Sequence, residues 1–362
     1  MKKKLLITGC GGYLGSYLIP FILKKKNYEI IGYDIGFFKD CNLFDNQEFD
    51  KRIIFKDARN LSSLDIEECD VVIHLAGISN DPLNKLTSEK VYDPSRHYTM
   101  RIAKLCKSLK KKFIFASSCS VYGAAKTNDY LTENSDTNPQ TGYSLNKIQI
   151  EEDLKIIADK NFFPICLRFA TVFGVSSRIR FDVVINMLVG MGLTEGKIKL
   201  NSDGEAWRPN LYIEDACSAI LHFVNYERKE DDGDILILNI GRNDNNLKII
   251  EIANIIRDLI PSSKVEFLNS LAGVKKNELF IDRKIKEGKD KRTYKVSFDK
   301  AKDKYKFECK FTIKDGISRM IQDFETIKLN SEKFKFNGFY RLQYLESLHQ
   351  KNLIDDNLRW KI

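Results

Sequence analysis

A chain of 362 residues, 43% hydrophobic and 11% aromatic, is long enough for one large domain carrying a smaller one and has the apolar content for a substantial core. Its net charge of +9, from 59 Lys and Arg against 50 Asp and Glu, lies in lysine runs such as residues 2–4, 24–26 and 110–112 with no aromatic residues interleaved, which suits weak attraction to anions and excludes a nucleic-acid platform. The 8 cysteines form no Cys-x-x-Cys pair and no metal-type spacing with the 4 histidines, so the thiols are read as reduced and mostly buried, no metal site is expected, and no apolar run reaches membrane length.

Lys4-Leu5-Leu6-Ile7-Thr8 reads as a strand. The apolar run stops at Thr8, too soon for a secretory leader, and a cytoplasmic protein is expected. Gly9-Cys10-Gly11-Gly12-Tyr13-Leu14-Gly15 follows at once, and then a helical run from Ser16 to Lys25. Gly-x-x-Gly-x-x-Gly at a strand-to-helix turn lets backbone N–H groups approach a pyrophosphate at the positive end of the helix. A second strand, Tyr28 to Tyr33, ends in Asp34, where a carboxylate accepts hydrogen bonds from an adenosine ribose and repels a 2'-phosphate. NAD is therefore favoured over NADP.

Further strands are read at Arg52 to Lys56, Val71 to Leu75, Phe113 to Ala116 and Ile165 to Arg168, with helical stretches between. That alternation predicts an α/β fold, a Rossmann-type doubly wound parallel sheet whose ligand crevice lies beyond the C-terminal strand ends. His74, at the end of the fourth strand, is read as a packed, hydrogen-bonded residue. The fifth strand leads into Ser117-Ser118-Cys119-Ser120-Val121-Tyr122-Gly123. After it comes Tyr143-Ser144-Leu145-Asn146-Lys147, two titratable side chains one helical turn apart. A phenol ionises near pH 10, so a tyrosine acts as a base at neutral pH only where a neighbouring cation stabilises its phenolate. Tyr-x-x-x-Lys arises by chance in a Lys-rich chain with 15 tyrosines. The glycine turn and Asp34 supply the context that selects the catalytic reading.

With both halves in place, the sequence resembles the extended short-chain dehydrogenase/reductase family, and within it the nucleotide-sugar epimerases, dehydratases and ketoreductases. The motifs are Thr8-Gly9-x-x-Gly12-x-x-Gly15, His74-Leu75-Ala76-Gly77, Ser118-Cys119-Ser120-Val121-Tyr122-Gly123, Tyr143-x-x-x-Lys147, Leu167-Arg168-Phe169-Ala170-Thr171-Val172-Phe173-Gly174, and Trp207-Arg208-Pro209 with Asp215. The resemblance covers residues 3 to about 320. It implies that Tyr13 and Leu14 of the glycine turn, Asp57 and Ala58 after the third strand, Leu75, Ala76 and Gly77 after the fourth, and Phe169 join Gly9, Gly12, Gly15 and Asp34 at the cofactor, with Asp57 on the adenine. Tyr143 is implied as the proton acceptor, Ser118 as the group orienting the substrate oxygen, and Lys147 as the holder of the nicotinamide ribose. For a nucleotide-diphosphate sugar it implies Asn80 in the loop Ile78 to Pro82, Ser120 as an assistant to Ser118, Asn186 on the pyrophosphate, and Arg208 and Arg292 as a diphosphate clamp, work suited to planar bidentate donors.

The domains expected are an NAD-binding unit over 1–174 with a returning segment near 212–245, a smaller C-terminal α/β substrate-binding unit over 175–327, interleaved with it, and a packed helical appendix over 328–362. The appendix, with its Leu353 to Trp360 ending, is similar to that of a bacterial subgroup found among surface-polysaccharide enzymes. Dehydratases of the family place a glutamate two residues after the position of Ser118; Ser120 stands there, which discounts elimination. Cys119 is offset by one residue from the thiol of the 3,5-epimerases and is read as packing. Thr171 replaces an Asn that related 4-epimerases hold against the substrate phosphate, which leaves the nucleotide and sugar open. The expected activity is C4 epimerisation through a transient 4-keto sugar. A 4-ketoreductase is the alternative, a dehydratase or a non-catalytic NAD-binding protein less so, and a homodimer is expected from the family.

Overall fold

The computed structural model describes residues 2–79, 88–125, 129–268 and 292–361; Asn80, expected in the sugar pocket, lies outside them. Seven strands form one parallel sheet: β1 (Lys3–Thr8), β2 (Tyr28–Asp34), β3 (Ile53–Phe55), β4 (Val71–His74), β5 (Lys112–Ser118), β6 (Ile165–Phe169) and β7 (Leu236–Ile240). Their spatial order is β7-β6-β5-β4-β1-β2-β3. The chain runs outward from β1 through β2 to β3, then returns to β4 and builds the other way. The crevice where that reversal occurs is the ligand position of such sheets.

Strand alternation divides the apolar residues between two cores. Leu5, Ile7, Ile73, Ile114 and Leu167 face Leu18 and Ile22 of the helix Gly15–Leu23 and Phe223 of the helix Ile213–Val224. Leu6, Val72, Phe113, Phe115 and Cys166 face Ile102, Cys106, Ile150 and Leu154 of the helices Ser88–Ser108 and Gly142–Ile157. With both faces covered, the central strands are near-continuous apolar runs, each buried large side chain contributing about 1.5–3 kcal/mol. The edge strand β3 is shorter than its sequence suggested: only Ile53 to Phe55 pair with β2, and Ile54 and Phe55 are exposed.

Beyond β6 the chain builds a smaller mixed unit. Trp207–Tyr212 runs parallel to Thr171–Phe173 and antiparallel to Asn246–Lys248. The helices Val184–Glu195, Ile249–Leu259 and Ile313–Thr326 pack around Phe173, Phe181, Ile185, Ile252, Ile317 and Phe324. β7 returns from this region to pair with β6. All eight cysteines are buried free thiols. Among the described residues, no helix is long and apolar enough to cross a membrane.

The tail after residue 328 packs on its own chain. It has helices at Ser331–Lys335 and Arg341–Gln350, but its last part is a loop closed by an antiparallel bridge between Ile354 and Trp360. Asp355 organises that loop, its carboxylate accepting from the N–H groups of Asn357 and Arg359, the local side-chain capture that competes with helix.

Candidate active site

The end of β5 and the helix Gly142–Ile157 are laced together residue by residue. Thr141 caps the helix, its hydroxyl accepting from Ser144 N–H at 3.2 Å while Thr141 N–H donates back to the Ser144 hydroxyl at 3.1 Å, so Tyr143 stands in the first turn. Tyr143, Lys147 and Glu151 follow at intervals of four and share one face. Opposite them are three consecutive residues of β5. The Tyr143 phenol is hydrogen-bonded to Ser118, the Lys147 ammonium donates to Ala116 O at 2.6 Å, and the Ser117 hydroxyl donates to Glu151. Glu151 is also held by Arg168 of β6 through Nε and Nη2, the latter at 2.6 Å. Arg168 in turn donates to the Tyr122 hydroxyl at 2.9 Å.

Burial sets the charge states. It pushes the Tyr143 phenol above its ordinary value, opposed by the Ser118 hydrogen bond and the positive charge of Arg180. Burial lowers Lys147 to about 8, with the Glu151 carboxylate pulling it back up. Cys119 is pushed far up by burial and its thiol donates to Arg168 O at 3.1 Å; it packs into the sheet. His74 is lowered to about 3 by burial. Its Nδ1 lies 2.8 Å from the Thr8 hydroxyl and its Nε2 2.9 Å from the Thr99 hydroxyl. Thr99 spends its proton on Ser95 O, so Nε2 donates and Nδ1 accepts, and the ring is a neutral brace.

The glycine turn sits at the β1–β4 reversal. Gly9 has φ +70°, and a Cβ there would fall 2.5 Å from Ala76 N; only glycine allows this approach. A Cβ on Gly15 would meet Cys10 O at 2.3 Å. Gly12 closes the turn, its N–H donating to Gly9 O at 3.2 Å. The Asp34 carboxylate accepts from Gly11 N–H at 2.9 Å and Gly36 N–H at 2.7 Å. Burial raises its pKa, against those two N–H groups and the charges of Arg178 and Arg341. Lys56 N–H donates to Asp34 O, so Asp57 follows just beyond β3 at the Asp34 end of β2, heading the turn Ala58–Asn60. Leu75 N–H bonds Thr8 O, and Ala76 N–H the Thr8 hydroxyl, so the segment before Gly77 runs along the β1 end. Phe169 pairs with Ser118 across β5 and β6. Glycine cradle, the Asp34 carboxylate, Ser118, Tyr143 and Lys147 therefore line one set of strand ends, and these residues fit a dinucleotide.

On the substrate side, the Ser120 hydroxyl is buried with no hydrogen-bond partner, an arrangement that suits a ligand oxygen. Arg208 donates to Trp207 O at 2.8 Å and to Arg292 O, which brings the two expected clamp arginines together. Asn186 is placed differently from its expected role. It is fully buried; its Oδ1 accepts from Gly174 N–H at 2.9 Å, and its Nδ2 donates to Tyr13 OH at 3.1 Å and Arg180 O at 2.9 Å. Both amide protons are thus spent on the protein. The Tyr13 hydroxyl donates to Gly174 O at 2.7 Å, and Leu14 packs between the cores of the two units, so these two residues fasten the glycine turn to the second unit.

Residues 5–241 match the NAD dependent epimerase/dehydratase family. The chain belongs to that family. A Bacillus subtilis relative, described as an uncharacterized UDP-glucose epimerase, YtcB, is 29% identical over 231 residues, 60% of this chain and 71% of that one. The UDP-glucuronic acid 4-epimerase of Bacillus cereus, in complex with UDP-glucuronic acid and NAD, superimposes with a TM-score of 0.70 at 22% identity, covering 90% of this chain and 99% of that one. The dTDP-glucose 4,6-dehydratase of Bacillus anthracis, in complex with NAD, gives 0.68 at 22%, covering 90% and 97%. Epimerase and dehydratase fit the backbone equally well, so the likeness establishes the fold and leaves the reaction to the side chains. This epimerase/dehydratase family member is an NAD-dependent enzyme.

Two residues of the site escaped the sequence reading. Glu151 carries a signal in retrospect, since Tyr143-x-x-x-Lys147 continues as x-x-x-Glu151 on the same helix face. Arg180 carries none. It reaches Ser79 beyond β4 and pairs with Asp182 at 2.8 Å, while its charge acts on both Tyr143 and Tyr13.

Proposed function

We propose that the protein is a nucleotide-sugar 4-epimerase working through a transient 4-keto sugar, in the synthesis of surface-polysaccharide sugars, and that it acts as a homodimer. The observation that carries this reading is a complete Ser118, Tyr143 and Lys147 set with, among the described residues, no carboxylate at the two positions after Ser118. The residues after Ser118 are Cys119, turned into the sheet, and Ser120. Of the nearby acids, Glu151 is locked to Arg168 and Glu133 accepts from Asn239 N–H at 2.8 Å. Epimerisation needs neither a second acid nor a second base.

Bound NAD supplies the hydride acceptor and a positively charged ring. The residues do the rest. Ser118 and Tyr143 hydrogen-bond the C4 oxygen of the sugar, and Tyr143 takes its proton as the C4–H bond breaks. Lys147 and Arg180 stabilise the phenolate by charge. Lys147, which here donates to Ala116 O, would hold the nicotinamide ribose. After the keto sugar turns over, Tyr143 returns the same proton to O4 as hydride is restored to the opposite face, so atoms and electrons balance with no net oxidation. Ser120, Arg208 and Arg292 would hold the nucleotide diphosphate sugar, and the Asp34 carboxylate would hold the adenosine ribose.

The test starts with the purified protein without added cofactor, denatured so that any released dinucleotide is identified by absorbance and mass. About one NAD per chain, followed by C4 inversion of a UDP- or GDP-sugar, is the expected result. An empty protein that consumes NADH with 4-keto-6-deoxy sugars is a ketoreductase. Tyr143→Phe is expected to retain NAD and lose turnover; retained turnover defeats the mechanism.

A further inference from the structure

The tail is built onto both halves of the crevice at once. At its start, Phe181 N–H donates to Phe339 O, Arg341 N–H donates to Asp182 at 3.1 Å, and the Arg341 guanidinium donates to Arg178 O while lying 4.1 Å over the Phe38 ring. At its end, the loop closed by the Ile354 to Trp360 bridge lands on the ends of β2 and β3. The Trp360 indole N–H donates to Ile35 O at 2.7 Å, one residue beyond Asp34, and the ring lies 5.6 Å from that of Phe37. Leu345, Leu348, Ile354 and Leu358 bury against Phe37 and Tyr92, in a cluster that Tyr143 also adjoins.

Arg59 is the latch. Its Nε lies 2.8 Å from Asp57 Oδ2, and its two terminal nitrogens donate at 2.6 Å to the carbonyls of Asn357 and Leu358. One guanidinium thus joins the Asp57 carboxylate to the tip of the tail, and Arg359 adds a second cation 3.7 Å from Asp57. A planar fork suits this bridging; an ammonium does not.

We propose that the tail is a strap that retains the dinucleotide by its adenosine half, with Arg59 as the positioning residue that couples the strap to Asp57. On the NAD reading, Asp34 and Asp57 would meet the adenosine end, and the strap fastens to Asp57 and to Ile35, the residue after Asp34. The proposal rests on NAD as the cofactor and is independent of what happens to the sugar. It gives the tail a function that suits a cofactor kept between turnovers.

The test uses the full chain and three variants, Arg59→Ala, Arg59→Lys and Trp360→Phe, the last keeping an aromatic ring on Phe37 and deleting the indole N–H. Dissociation of NAD and binding of 5'-AMP and nicotinamide mononucleotide are measured for each. Losing hydrogen bonds to a charged donor at this site predicts a roughly tenfold or greater weakening. The expected result is faster NAD release and weaker AMP binding in Arg59→Ala, a smaller effect in Arg59→Lys and Trp360→Phe, and unchanged mononucleotide binding. Unchanged NAD release, or equal loss for AMP and the mononucleotide, overturns the strap. Failure of the parent protein to bind any dinucleotide overturns the cofactor assignment instead. Should Arg59→Ala not fold, Arg59→Lys and Trp360→Phe decide between the same outcomes.

Discussion

Replacing Glu151 with Gln tests whether the zipper beneath the active site is held by charge. Glu151 has 2% and Arg168 5% side-chain exposure, so neither ion is rescued by water. The carboxylate accepts from Arg168 and from Ser117. A carboxamide keeps one acceptor oxygen but no charge, and leaves the buried guanidinium with neutral side-chain partners, the amide and the Tyr122 hydroxyl. Breaking a buried pair from one side costs about 3–5 kcal/mol, a large part of a total stability of about 5–15 kcal/mol. With a urea slope near 3 kcal/mol/M, the midpoint falls by about 1–1.7 M. Urea melts followed by circular dichroism measure this. Removing both charges together, as Glu151→Leu with Arg168→Met, leaves no orphan and is expected to recover most of the loss. A single variant within about 1 kcal/mol of the parent, or a double variant no better than the single, refutes the reasoning. The same carboxylate holds up the Lys147 pKa, so Glu151→Gln is also expected to move the Lys147 titration below about 8.

Two further outcomes follow from the geometry. Lys147 sits at about 8 in the folded chain because burial penalises its charge. The unfolded lysine holds its proton to about 10.4, so the folded state carries the full penalty below pH 8 and stability from this group rises between about pH 8 and 10.4. Function runs the opposite way: the ammonium that would hold the nicotinamide ribose is lost above pH 8, so NAD affinity by calorimetry is expected to fall there in the parent and stay flat, and lower, in Lys147→Met. For Asn186→Ala, the internal bonds to Gly174, Tyr13 and Arg180 predict a stability loss of about 1–3 kcal/mol from the partners left unpaired. An unchanged melting temperature with a raised KM for the nucleotide sugar would instead return Asn186 to the pyrophosphate.

That the glycine turn, Asp34, Ser118, Tyr143 and Lys147 lie at one set of strand ends was legible because each is a short-range pattern: a turn that no side chain can enter, a strand end one crossover later, two residues one helical turn apart. The parallel sheet was legible for the same reason, since its strands are apolar runs separated by helices. The internal bonding of Asn186 was not legible because a buried amide and a ligand-binding amide look alike in sequence; what separates them is whether Gly174, Tyr13 and Arg180 arrive to fill it, which depends on contacts up to 173 residues apart. Arg180 was lost among 59 basic residues for want of any local mark. The tail was read as packed from its Leu and Trp content, but its target was not, because nothing local to residues 354–360 announces Arg59.

Glu151 sets the register on which the site depends. Ser118 and Tyr143 must be held at hydrogen-bonding distance across two elements, and strand register fixes that distance only if the helix cannot slide along β5. Ala116, Ser117 and Ser118 step along the strand in about 7 Å, whereas Lys147, Glu151 and Tyr143 span two helical turns, about 12 Å. Long side chains close that mismatch, converging on the strand end from both directions along the helix. A shift of the helix by one turn would bring Lys147 opposite Ser118 and leave the Arg168 charge without Glu151. The buried ion pair therefore penalises the wrong register far more than it stabilises the right one. That is the form of specificity a buried charge supplies best, and it makes the Tyr143 position a consequence of a contact eight residues away.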